Sequence, residues 1–143
     1  GGVLATPSME TPEISLDLVW QGDLRLAVTA GAPGLVLDSD GRQGPSPMQA
    51  LAAAVGACMA MDVVEILRKG RHDLRSLAVR VTGRRAAEPP RRFEALAVHF
   101  RIGGAVPPSA AERAVELSRA KYCSVLHSLR PDLALTADFD IES

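Results

Sequence analysis

Residues 46–70 read SPMQALAAAVGACMAMDVVEILRKG. Ser46 has a side chain suited to an N-cap, and Pro47 falls in the first turn, where a missing N–H costs nothing. Gly70 supplies a stop at the other end. Between Met48 and Leu67 only Gln49, Gly56, Asp62 and Glu65 interrupt an apolar run. The pattern predicts one helix from Pro47 to Lys69, apolar on nearly every face and therefore buried. The segment is also about long enough to cross a bilayer. Two acids near one end, with much Ala and little Leu or Phe, disfavour insertion and support a core helix. At 1.5 Å per residue the helix is about 35 Å long, the width of a small domain, so one modest sheet leaves much of it uncovered. Ala50, Ala53, Ala54, Gly56, Ala57 and Ala60 let another helix come close, which points to a symmetric dimer.

Moving outward, the flanking segments alternate with a period of two. Ile14, Leu16, Leu18 and Trp20, then Leu24, Leu26 and Val28 across Gln21-Gly22, predict a hairpin, and Gly34 to Asp38 a third strand. Leu77, Val79 and Val81, then Leu96, Val98, Phe100 and Ile102, predict a second hairpin turning at Glu88-Pro89-Pro90. Ser109-Ala110-Ala111-Glu112 has the form of a capping box. It predicts a second helix with an apolar stripe of Ala111, Val115, Ser118, Tyr122, Val125, Leu126 and Leu129, stopped by Pro131. Leu133, Leu135, Ala137, Phe139 and Ile141 predict a last strand. The order βββ–α–ββ–α–β is α+β. Residues 1–11 are expected to be a flexible N-terminal segment and residues 12–143 a single domain.

Composition narrows the function. The chain has 143 residues, a formal net charge of -1, 47% hydrophobic and 23% charged residues, which is ordinary for a globular protein. It carries no dense basic tract with interleaved aromatics, so nucleic acid is not an expected partner. Arg84-Arg85 and Arg91-Arg92 read as solvated hairpin ends. Aromatic residues are only 3%, so the core must be built largely from Ala, Val and Leu. The N-terminal residues lack the charged and apolar regions of a signal peptide. Two cysteines, far apart in sequence and outside any C-x-x-C pair, are too few for a disulfide-stapled secreted scaffold. A cytoplasmic protein without membrane association is expected.

Those two cysteines are the best candidates for chemistry. Cys58 lies mid-helix, on a stripe with Leu51, Val55, Asp62, Glu65 and Lys69. It reads either as a small inert core residue or as a reactive thiol. Asp62, one turn along, opposes ionisation of a thiol that it faces, so activation requires a cation from elsewhere, with Arg25 and Arg42 as candidates. Cys123 sits at the flank of the second helix's stripe, with Arg119 one turn before and His127 one turn after. Both can favour a thiolate. A Cys123/His127 metal pair lacks the further ligands a zinc site needs, so no metal is expected. His72 and His99 read as turn and surface-strand residues. No phosphate loop, serine elbow or paired-carboxylate motif is present.

Two segments carry a likeness to known proteins: Gly44-Pro45-Ser46-Pro47-Met48-Gln49-Ala50-Leu51 running on through Gly56-Ala57-Cys58 to Asp62-Val63-Val64, and Lys121-Tyr122-Cys123-Ser124-Val125. Together with Trp20, the Pro89/Phe93 hairpin and the final strand, they resemble the OsmC/Ohr family, most closely its OsmC-like (YhfA-type) branch. The resemblance implies an intertwined homodimer with antiparallel sheets wrapped around two long central helices. It also implies thiol-dependent reduction of organic hydroperoxides without metal or organic cofactor, in oxidative-stress protection, with an external dithiol as reductant. Carried over, Cys58 is the peroxidatic and Cys123 the resolving cysteine, in an apolar pocket. Where the family's peroxidases place a Glu paired with an Arg, this chain has Met48 and Gln49. Gln49 and Arg25 are the supporting candidates. The alternatives are a non-catalytic dimer that binds or senses a small hydrophobic or electrophilic molecule, and a structural dimer with inert cysteines.

Overall fold

The computed structural model describes residues 15–29 and 34–142. The chain divides into two compact units between Met48 and Gln49. The first carries β1 (Asp17–Trp20), β2 (Arg25–Thr29) and β3 (Leu35–Asp38), an antiparallel sheet in that order. Trp20 faces Leu26, and Leu26 in turn faces Leu37, which is the expected hairpin and third strand. Ile14, counted into the first strand from its alternation, lies outside the described residues, as do residues 1–11. Gly22 turns the hairpin with φ of 102°, and Trp20 Nε1 donates to the Asp23 carbonyl at 2.8 Å. Leu18, Val19, Trp20, Leu24 and Leu35 stay exposed, Trp20 by 69%.

The second unit carries most of α1 (Pro47–Lys69), then β4 (Asp73–Arg85), β5 (Phe93–Ala105), α2 (Pro108–Leu117), a π-helical turn (Ser118–Tyr122), α3 (Ser124–His127) and β6 (Ala134–Glu142). α1 starts and ends at the predicted residues. Its buried stripe is Val55, Met59, Val63 and Leu67, spaced by four as one helical face requires, with Gly56 buried beside it. That stripe joins Leu96, Val98, Phe100 and Ile102 of β5 in the main core cluster. Full burial of each such large side chain contributes about 1.5–3 kcal/mol. Gly56 lets α1 pack close to the sheet: a Cβ there would lie 2.5 Å from Val81 Cγ2 of β4.

The other side of α1 is not covered. Ala53 and Ala57 are exposed, and Met61 is exposed by 67%. Burial on nearly every face therefore does not hold within one chain, because the sheet covers a single side. α1 is long and apolar enough to cross a membrane, with a hydropathy of 1.9. Its Val55/Met59/Val63/Leu67 stripe packed into the sheet's core cluster is the arrangement of a core helix.

The sheet order is β4-β5-β6. β4 and β5 pair antiparallel, Leu77 opposite Ile102 and Val81 opposite Val98, and extend well beyond the alternating residues that predicted them. Gly104 sits near a register shift with φ of 123°, where a Cβ would lie 2.1 Å from the Asp73 carbonyl oxygen. β6 pairs with β5 in parallel, Phe100 beside Phe139 and Ile102 beside Ile141, which corrects the expectation of antiparallel sheets alone. The intervening helical segment is a crossover that returns the chain to the end where β5 began, as a parallel neighbour requires.

α2 also starts differently. Pro107 stands at the N-cap with no side-chain cap, and Ser109 and Glu112 are exposed, so the capping box does not form. Pro107 precedes a proline and is held extended, while Pro108 is pre-shaped for the first helical position, so the two prolines begin the helix before Ser109. The expected continuous helix to Leu129 breaks at Cys123, whose φ of -72° and ψ of 98° are extended.

Candidate functional site

α1 sets Cys58 in its middle, half-buried, between the fully buried Val55 and Met59. Cys123 comes from the break in the second helical segment and is fully buried. The two side chains lie near enough to influence one another within the same chain, and both are free thiols. The geometry around Cys123 explains how a buried break is tolerated. Its backbone N–H closes the π-helical turn on the Ser118 carbonyl at 2.9 Å. Its sulfur then accepts the Leu126 N–H at 3.4 Å, so Cys123 caps α3 in place of an oxygen. Single π-helical turns of this kind are frequent at functional sites.

Electrostatics at Cys123 run opposite to the expectation from its neighbours. Arg119 Nε donates to Glu116 at 2.9 Å, and His127 Nε2 lies 3.1 Å from the Arg119 carbonyl oxygen. Both side chains are engaged away from the sulfur. Burial, the contact with Cys58 and the negative charge of Asp62 outweigh the Leu126 N–H and push the thiol up to about 11. Cys123 therefore stays protonated at neutral pH, and neither Arg119 nor His127 activates it.

Asp62, one turn after Cys58, accepts a hydrogen bond from Ser118 Oγ at 2.8 Å. Ser118 is fully buried. Its pattern position assigned it to an apolar stripe, which missed this role. The signal was present: a hydroxyl in an otherwise apolar row needs a buried partner. Tyr122, placed in the same stripe, is 48% exposed. It lines a groove of about 520 Å³ with Asp62, Ile66, Lys69, Arg113 and Leu117.

Gln49 lies exposed in the first turn of α1, about half a turn round the helix from Cys58. Arg25 belongs to the first unit, where it pairs with Asp23 at 3.5 Å and leaves Nε buried without a partner. Asp38, also buried there, receives the N–H groups of Asp40 and Gln43 at 3.0 and 3.2 Å. Burial alone raises its pKa, but those donors and the charge of Arg25 prevail and hold it below the usual carboxylate range. Arg42 is exposed in the following loop. Among the described residues, no three His, Cys, Asp or Glu side chains gather as a metal site.

An α+β unit thus sets a free thiol on a long helix beside a second, buried thiol at a helix break. Residues 39–138 match the family model described as OsmC-like protein, and the chain belongs to that family. It is similar to protein YhfA of Escherichia coli K12, with 37% identity over 118 residues that cover 81% of this chain and 88% of that protein. Among solved structures, it resembles a hypothetical protein from Aquifex aeolicus VF5, with 25% identity, a TM-score of 0.86, and 92% and 98% of the two chains covered. It shares the fold of an organic hydroperoxide resistance protein OsmC from Legionella pneumophila, with 17% identity, a TM-score of 0.69, and 91% and 99% covered.

Proposed function

We propose that this protein reduces organic hydroperoxides as a cytoplasmic homodimer, with Cys58 as the peroxidatic thiol and Cys123 as the resolving one. The observation that carries this is the meeting of two free thiols of unequal exposure, one half-buried and one fully buried. The more exposed sulfur is the one that a peroxide reaches first. Cys58 as thiolate attacks one peroxide oxygen, the O–O bond breaks, and the departing alkoxide takes a proton to leave as an alcohol. Cys58 is then a sulfenic acid. The Cys123 sulfur bonds to the Cys58 sulfur, and the sulfenic hydroxyl leaves with the Cys123 proton as water. An external dithiol reduces the resulting disulfide. No metal or organic cofactor enters any step.

The dimer is supported by the apolar surface a single chain leaves open: Ala53, Ala57 and Met61 along α1, and Leu18, Val19 and Trp20 in the first unit. Met48 and Gln49, standing where the family's peroxidases carry a Glu, favour the second reading, a non-catalytic dimer that binds or senses an electrophile. One assay separates the two. Cumene hydroperoxide with a dithiol is consumed by the wild type, Cys58→Ser stops consumption, and Cys123→Ser supports one oxidation of Cys58 without disulfide formation. Turnover that persists in Cys58→Ser ends the enzymatic reading. Light scattering on the eluting protein reads the dimer, which Met61→Glu weakens.

A further inference from the structure

The geometry points to Asp62 as a positioning residue for the thiol pair: through the buried Ser118 hydroxyl it anchors the π-helical turn that ends on Cys123. This deepens, and rests on, the two-thiol reading of Cys58 and Cys123.

Three contacts support it. Asp62 follows Cys58 by four residues, so both project from one side of α1 toward the turn carrying Cys123. Its Oδ2 accepts the Ser118 hydroxyl at 2.8 Å, across from α1 to a segment far away in sequence. The Ser118 carbonyl in turn accepts the Cys123 N–H at 2.9 Å, so one residue links the carboxylate to the cysteine backbone. Ser118 and Cys123 are both fully buried. A buried hydroxyl bonded to a carboxylate costs several times more to orphan than to keep, which makes this link specific to Ser or a close analogue.

The groups that face Cys123 are few. From α1 they are Cys58 and Asp62, and the Leu126 N–H points at the sulfur from α3. On its own segment Arg119 is held by Glu116, and His127 by the Arg119 carbonyl. Lys69 and Arg113 share the groove that Asp62 lines, yet the charge of Asp62 still acts on the thiol. A protonated Cys123 is a poor target for peroxide, since the thiolate is the reactive form. Oxidation is thus directed to Cys58. Once Cys58 is a sulfenic acid, the Cys123 S–H and the Cys58 S–OH bonds break, the S–S bond forms, and water carries off both fragments.

The test titrates Cys123 by thiolate absorbance in a Cys58→Ser background, which uses no peroxide and so fails or succeeds independently of the peroxidase assay. Asp62→Asn keeps an acceptor for Ser118 and removes the charge. It lowers the Cys123 midpoint, while the larger effect of burial remains. Ser118→Ala keeps the charge and leaves the midpoint high, but in the two-cysteine protein it slows disulfide formation, so that dimedone traps more Cys58 sulfenic acid. An unchanged midpoint in folded Asp62→Asn overturns the electrostatic role, as does an equal fall in Ser118→Ala. Sulfenic acid trapping in Ser118→Ala at the wild-type level overturns the anchoring role.

Discussion

Cys58 and Cys123 occupy opposite kinds of backbone. Cys58 lies in an uninterrupted helix of 23 residues whose neighbours Val55 and Met59 are fully buried. Cys123 lies at a joint, extended between a π-helical turn and a helix of four residues. The first setting is stiff and the second is adjustable. Forming a disulfide from two unbonded thiols requires one partner to move, and a joint between two short helical turns gives more readily than a long packed helix. The comparison assigns the movement to Cys123 and the fixed position to Cys58.

The comparison can be broken most strongly through the core beneath Cys58. Met59→Ala removes a fully buried side chain and opens a cavity under α1, at a cost of about 2–5 kcal/mol in urea unfolding. A cost near zero would mean that α1 is not held as described. Gly56→Ala places a methyl 2.5 Å from Val81 Cγ2, and a loss of about 1–3 kcal/mol is expected as helix and strand separate. Thermal unfolding of that variant should show a lower midpoint, while the alkylation rate of Cys58 reports whether the helix has shifted.

A third prediction concerns β6, the strand to which the jointed segment delivers the chain. His99 on β5 bridges to Asp138 at 2.6 Å and Asp140 at 3.1 Å on β6. Arg80 stands opposite on β4, and the next basic residue along β5, Arg101, is held by Glu142. The hydrogen bond that His99 donates to Asp138 is the main cause that raises the His99 pKa above 6.5, with the charges of both aspartates adding to it and burial opposing. A raised folded pKa means that the stabilisation is complete below the unfolded value and fades as pH rises through the folded one. Urea midpoints followed upward from pH 6.5 should fall for the wild type, and His99→Asn should lose that slope. A parallel pH profile in both proteins would separate the clamp from the stability of β6.

The smallest effect is expected at Arg119. Its engagement with Glu116 means that Arg119→Ala leaves the Cys123 titration where it was. A clear rise in the Cys123 midpoint would restore Arg119 as an activating cation and undo the contrast between the two thiols.

Much of this was legible in the residues. Pro47, Gly70 and the apolar run between them delimit α1, because capping chemistry and hydrophobic periodicity are local. The alternations around Leu26, Val79 and Phe100 mark strands for the same reason. The OsmC-like likeness rests on short segments around Cys58 and Cys123, and those are the segments that meet. The failures are equally instructive. Ser109 and Glu112 carry a capping signature that the preceding prolines pre-empt. Ser118 and Tyr122 share a helical stripe only if the helix continues, and it does not.

The sequence by itself determined where the helix α1 begins and ends and which segments are strands, since each depends on neighbours along the chain. Only the tertiary structure decided that β6 runs parallel to β5, that the helix breaks at Cys123, and that Asp62 reaches Ser118. Those outcomes follow from which distant surfaces come to share a core, where burial and hydrogen-bond satisfaction outweigh local preference.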